Sequence, residues 1–216
     1  MADQPQPESV ITLGKEATAE YTEKKSVFIG CAAPVTDEDG ALSLLARIRK
    51  AHPDARHHVY AYSLANGAVM RCSDDGEPQG TGGVPVLDII RKSGVTGAAI
   101  VVTRYFGGIL LGAGGLIRAY QTAAKRAVDE AGIVRLVPYT DFTLLCRYDD
   151  YPKLKHEFPK IGVLEQSADF AEAVRLTLTV RTDRYLSAAK RLSDMSAGRL
   201  CAEPCGSHLG HEDSLS

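Results

Sequence analysis

Three carboxylates crowd into one short stretch of this chain, Ser73-Asp74-Asp75-Gly76-Glu77-Pro78-Gln79-Gly80-Thr81-Gly82-Gly83. Oxygen ligands set so close together could hold a hard cation. Their spacing departs from a calcium loop, in which acidic ligands recur at alternate positions ahead of a glycine. The competing reading is structural: Asp74, Asp75 and Glu77 cap the following helix and pair with a nearby arginine. On that reading Asp74 or Asp75 lies close to Arg104. The second stretch is Val102-Thr103-Arg104-Tyr105-Phe106-Gly107-Gly108-Ile109-Leu110-Leu111-Gly112-Ala113-Gly114-Gly115-Leu116. A strand that runs into a glycine-rich turn and then a helix frees backbone N–H groups to receive an anion. Gly108, Gly112 and Gly114 are therefore candidates for close approach by a phosphate or a partner's backbone. The rival is that these glycines only let the helix pack tightly on the sheet. Neither G-x-G-x-x-G nor G-x-x-x-x-G-K-[ST] occurs, so no familiar nucleotide grip is encoded.

Two further clusters carry less. In Arg56-His57-His58-Val59-Tyr60-Ala61-Tyr62 the histidines face opposite ways along a strand, so one site can use His57 or His58 but not both. Ser26 and Cys72 have no local base to make either a nucleophile. Near the C-terminus Cys201, Cys205, His208 and His211 are suitable zinc ligands by type, but their spacing is compressed relative to zinc modules. No cofactor is expected.

The elements that must position these residues follow from periodicity. Residues 1–8 read as a loose tail without a secretory leader. Extended segments near residues 10–21 and 26–33 precede a capped helix start at Thr36-Asp37-Glu38-Asp39, with apolar positions at 41, 44, 45 and 48. Strands are expected over 56–64 and 68–72, joined at Asn66-Gly67, then a short helix over 84–92 and a buried strand over 98–102. A wide apolar stripe predicts a helix over 116–131, with Arg118, Gln121, Thr122, Lys125 and Arg126 on its polar face. Gly132 stops that helix, and Val137-Pro138 reads as a domain boundary. The remainder reads β-α-β-β-α-β, with near-faultless alternation from Val174 to Val180. The chain is thus expected to be α+β, with domains at 1–137 and 138–216 and a ferredoxin-like second domain.

The charge limits the partners. Residues 1–137 hold 15 basic and 15 acidic side chains and residues 138–216 hold 10 and 12, so neither half is the basic body that non-specific nucleic-acid binding favours. Any RNA contact must use a local patch, and DNA is not expected as a partner. Five cysteines, spread thinly, do not make a disulfide framework. The most apolar stretch, residues 98–116, is too interrupted to cross a membrane. A reduced, cytoplasmic protein is the expectation.

Taken together, several ordered segments resemble the IMPACT/YigZ family in its bacterial two-domain form. They are Lys25-Ser26-Val27-Phe28-Ile29, the histidine strand, Asp74-Asp75-Gly76-Glu77-Pro78 with Gly80-Thr81, Arg104-Tyr105-Phe106-Gly107-Gly108, Leu111-Gly112, Gly114-Gly115-Leu116 and Arg118-Ala119-Tyr120. One departure is Gly82, where the family more often has alanine, a change expected to loosen that loop. The resemblance implies that the first domain has the fold of the second domain of small-subunit ribosomal protein five. It implies that the second is like the C-terminal ferredoxin-like domain of elongation factor G. It also implies a link to translational control, through RNA, the ribosome or a regulatory protein partner. The candidate binding residues are then His57, Asp74, Asp75, Glu77, Arg104, Tyr105, Gly108, Gly112, Gly114, Arg118 and Lys125, with Arg126 on the same polar face and Tyr60, Tyr62 and Tyr105 available for stacking. The alternative is a metal-assisted enzyme acting on a phosphorylated or peptide-like small molecule. There Asp74, Asp75 and Glu77 bind metal or move protons, His57 assists and Arg104 holds an anion.

Overall fold

The computed structural model describes residues 9–212, so the tail expected at residues 1–8 lies outside the described residues. The chain divides into two compact units, Val10–Arg135 and the segment from Leu136 onward. The first contains β1 (Val10–Leu13), β2 (Ala17–Glu23), β3 (Ser26–Pro34), α1 (Glu38–Ala51), β4 (His57–Leu64), β5 (Val69–Ser73), α2 (Gly83–Ser93), β6 (Ala98–Tyr105) and α3 (Gly112–Ala131). Strands β2-β3-β6-β4-β5 form an antiparallel sheet with β6 at its centre. Ile100 and Val102 pack with Phe28, Val59 and Ala61 in the core that α2 and α3 cover, while Ala99 and Val101 pack with Cys31 and Tyr62 under α1. Burial on both faces is why β6 reads as an unbroken apolar run instead of an alternating one.

Helix starts separate local from tertiary causes. The Asp37 carboxylate accepts the Gly40 N–H at 2.8 Å and caps α1, as the spacing predicts. By contrast, α3 begins at Gly112, so the glycine cluster expected as a turn is the first turn of the helix. Glycine is among the poorest helix formers. Burial of Leu116, Ala119, Tyr120 and Ala123 in the core outweighs that preference.

The second unit holds most of β7 (Ile133–Cys146), then α4 (Tyr151–Glu157), β8 (Val163–Phe170), β9 (Val174–Arg181), α5 (Tyr185–Met195) and β10 (Glu203–His211). Its element order is the expected β-α-β-β-α-β. Its sheet runs β7-β9-β8, with β10 also on β7. Phe142, Leu144, Leu176, Leu178 and Val180 form its core with Leu154 and Leu192 from the helices. The units divide between Arg135 and Leu136, two residues before the expected Val137-Pro138, and β7 runs on through that pair with Pro138 facing Leu209 of β10. Pairing with β9 starts only at Tyr139, so the missing proline N–H takes no bond from that ladder. Among the described residues no helix is long and apolar enough to cross a membrane.

Candidate functional site

Cross-strand register sets the foundation. Arg104 of β6 stands opposite Phe28 of β3 on one side and His57 of β4 on the other, so all three share the sheet face that α3 covers. Arg104 and Glu77 are only 6% and 8% exposed. The Arg104 Nη1 donates to Glu77 Oε1 at 2.6 Å, and the Tyr120 hydroxyl donates to the same oxygen at 2.7 Å. The Arg104 guanidinium lies 5.4 Å from the centre of the Phe28 ring and 5.6 Å from that of Phe106, both within cation–π range. Phe28 in turn meets the Tyr120 ring edge to face. Burial, followed by the Glu77 charge, pushes the Tyr120 phenol well above its ordinary range, so it stays a neutral donor. One carboxylate oxygen thus joins the acidic loop to β6 and α3.

The other two carboxylates go elsewhere. Asp74 turns to the start of α2: Gly80 N–H donates to Oδ2 at 2.8 Å, and Gly82 and Gly83 N–H donate to Oδ1 at 2.9 and 2.8 Å. Asp75, at φ 45°, turns the opposite way, accepting the His58 N–H at 2.6 Å and Arg49 Nη2 at 2.6 Å. The arginine partner expected for Asp74 or Asp75 is therefore Glu77's instead. The two glycine-rich stretches do meet, but through the third carboxylate. Gly82 is not a loosening substitution here: a Cβ would come within 2.8 Å of Val59 Cγ2, and its N–H is held by Asp74.

Asp74 behaves as a half-buried cap. Burial raises its carboxyl pKa, but the N–H groups of Gly80, Gly83 and Gly82 together outweigh that and leave it below the ordinary value. A depressed folded pKa contributes stability above the unfolded value of about 3.9, and acidification through the folded value removes it. Asp74→Ala is expected to cost about 1–2 kcal/mol at neutral pH. The difference from wild type should shrink below about pH 4 in urea titrations run across pH.

The histidines divide as strand geometry requires. His57 Nδ1 bonds the Asp75 carbonyl at 2.9 Å and so carries the proton, leaving Nε2 4.0 Å from Glu77 Oε1. His58 points to the other face, where its Nε2 meets the His52 carbonyl at 3.2 Å. Burial lowers its pKa despite Asp75. Tyr105 bonds His52 Nδ1 at 3.0 Å, and Tyr62 is buried with its hydroxyl on Glu38. Tyr62 therefore cannot stack on a ligand, because it packs with Ala41, Leu44 and Leu45 of α1. Gly108 and Gly112 have φ of 80° and 68°, and Gly114 sits exposed in the first turn of α3. Arg118 and Lys125 are exposed on α3; Lys125 pairs with Asp129, and Arg126 donates to the Glu20 carbonyl at 3.0 Å. The structural reading of the acidic loop missed Tyr120 and Phe28. A tyrosine inside an apolar stripe was the available signal, since a buried phenol needs a partner.

The surface above this frame is the β6–α3 loop. Phe106 and Ile109 are partly exposed, and Leu110 is 84% exposed. Its base is fixed by Gly107, whose N–H donates to Ser26 Oγ at 3.1 Å. Among the described residues no group of three or more His, Cys, Asp or Glu side chains is placed to hold a metal ion. In the C-terminal strand His208 Nδ1 instead bonds Asp141 Oδ2 at 3.0 Å, and its ring stacks on Tyr139.

Comparison with known proteins agrees with this arrangement. Residues 24–128 match the Impact N-terminal domain, and residues 144–199 match a domain of unknown function, DUF1949. The chain is 34% identical over 180 residues to the IMPACT family member YigZ of Escherichia coli (strain K12), covering 82% of this chain and 88% of that one. It is 36% identical over 182 residues to an IMPACT family member of Thermus thermophilus, covering 83% and 98%. Protein IMPACT of Mus musculus is 32% identical over 97 residues, which are 42% of this chain and 30% of the mouse protein. A crystal structure of a hypothetical protein superposes with a TM-score of 0.61 at 32% identity, over 93% of this chain and 98% of that one. The chain belongs to the IMPACT family, in its two-domain form with an Impact N-terminal domain followed by DUF1949.

Proposed function

We propose that this protein is a non-catalytic, translation-associated factor of the cytoplasm. It binds RNA, the ribosome or a regulatory protein through the surface at the β6–α3 loop. The observation that carries the reading is the contrast at that loop. Arg104, Glu77 and Tyr120 form a buried frame, while Phe106, Ile109 and Leu110 project from it into solvent. Exposed apolar side chains on a rigid base favour recognition, because little ordering entropy is lost on binding. The link to translation rests on the family to which the chain belongs.

Against the enzyme alternative, each of the three loop carboxylates already accepts from backbone N–H groups or from an arginine, which favours a structural role for the loop. Affinity purification from native lysate, with and without RNase, tests the proposal. Arg118→Glu should lower partner recovery severalfold with an unchanged unfolding midpoint, since Arg118 is exposed. Equal recovery by wild type and variant would remove Arg118 from the interface. Turnover in a substrate screen, abolished by Asp74→Asn in a folded protein, would establish the enzyme instead.

A further inference from the structure

Contacts around the β6–α3 loop join it to two other segments. At Gly107 an added Cβ would lie 2.0 Å from the Lys25 carbonyl carbon, so the loop base rests directly on the β2–β3 turn. That turn presents Lys24 and Lys25, both exposed. On the other flank the Arg118 side chain folds back toward the start of α3, with Nη1 3.7 Å from where a Gly114 Cβ would stand. Bonding to Glu23 raises the Tyr21 phenol pKa, and Arg126 and Arg118 are both close enough to oppose that rise. Arg126 lies 5.1 Å over the Tyr21 ring.

Lys24, Lys25 and Arg118 form no ion pair among the described residues. The nearby acids on β2 are Glu20 and Glu23, and Glu23 accepts the Tyr21 hydroxyl at 2.8 Å. Cations thus lie at the loop base and at the start of α3, within a first domain that carries no net charge over residues 1–137. In the same loop Phe106 offers a half-exposed ring braced by Arg104. Gly114 adds an anomaly. Its φ lies outside the left-handed region, and a Cβ there would meet only Arg118 Nη1 at ordinary distance. Glycine in a helix costs about 1 kcal/mol relative to alanine, and nothing inside the protein requires it here.

We propose that the surface formed by Lys24, Lys25, Phe106, Leu110 and Arg118 binds single-stranded RNA. An unpaired base stacks on Phe106 against Leu110, and the flanking phosphates meet the lysines on one side and Arg118 on the other. Single strands suit this surface because their bases are free to stack and a local patch can follow a short backbone. This rests on the binding role proposed above and names its partner.

The probe is a fluorescein-labelled RNA of about a dozen mixed-sequence nucleotides, titrated with the full-length protein while anisotropy is read at several salt concentrations. Three phosphate contacts at roughly 0.7 each predict a slope of about −2 for log K against log salt. Arg118→Gln and Lys25→Asn should each weaken binding and flatten the slope by about 0.7. Asparagine suits position 25 because it tolerates the positive φ found there. Phe106→Ala should weaken binding about tenfold at every salt concentration and leave the slope unchanged, which a merely structural role would not do. The same RNA in a perfect duplex should bind at least about tenfold more weakly, since its bases cannot stack. The inference is overturned if the RNA does not bind, if duplex binds as well, or if the three variants bind like wild type with unchanged unfolding midpoints. RNase-resistant recovery of a protein that depends on Arg118, with no RNA binding, overturns RNA as the partner and leaves the broader binding role standing.

Discussion

Glu77→Ala should lower the unfolding free energy by about 3–5 kcal/mol, the largest loss expected from any single side chain of the site. Glu77 Oε1 is the shared acceptor for Arg104 and Tyr120, and Arg104 is buried with its Nε already lacking a partner. Removing the carboxylate leaves a guanidinium that cannot reach water and a buried phenol without an acceptor. Domain stabilities are only about 5–15 kcal/mol, so the loss is a large share of the total. Urea unfolding followed by circular dichroism reads it as a shift in midpoint at constant slope. The double variant Glu77→Leu with Arg104→Met should recover much of the loss, because it removes the stranded charge together with its partner. Equal destabilisation in the double variant would mean that packing, and not the buried charge, sets the cost.

Gly107→Ala is the second large effect, expected to cost at least about 3 kcal/mol. The added carbon would sit 2.0 Å from the Lys25 carbonyl carbon, 2.2 Å from its oxygen and 2.3 Å from the Ser26 nitrogen. All three are backbone atoms of the β2–β3 turn, so no rotamer change relieves the overlap. Either the turn or the β6–α3 loop must move, and the bond from Gly107 N–H to Ser26 Oγ goes with it. Gly114→Ala is the internal control. Its new methyl group meets nothing closer than 3.7 Å, so stability should rise by up to about 1 kcal/mol. Thermal unfolding of the two variants side by side makes the comparison. Wild-type stability for Gly107→Ala would show that the loop does not rest on the turn.

Much of the architecture was legible without coordinates. The alternation from Val174 to Val180, the stripe down α3, the cap at Asp37 and the β-α-β-β-α-β order all depend on periodicities of two and 3.6 residues per repeat or turn. Those signals are local, because a residue's face follows from its neighbours once the element type is known. The opposite orientation of His57 and His58 was legible for the same reason. The clustering of ordered motifs also carried the family assignment, which the matches over residues 24–128 and 144–199 support.

The destinations of Asp74, Asp75 and Glu77 were decided only by the tertiary structure. They lie within four positions, yet one caps α2, one holds β4 and α1, and one reaches β6 and α3. In a loop where Asp75 and Gly76 adopt φ of 45° and 87°, no period relates sequence position to side-chain direction. Register had the same standing. That Arg104 faces Phe28 and His57 depends on how β3, β4 and β6 align, and a one-residue slip would turn Arg104 to the opposite face. Nor could the stripe of α3 show that Tyr120 bonds a carboxylate, since its acceptor lies 43 positions away in the chain. The residue types of the site came from the sequence, and their partners came from long-range packing, because a buried charge or phenol takes whichever complement the fold brings within reach.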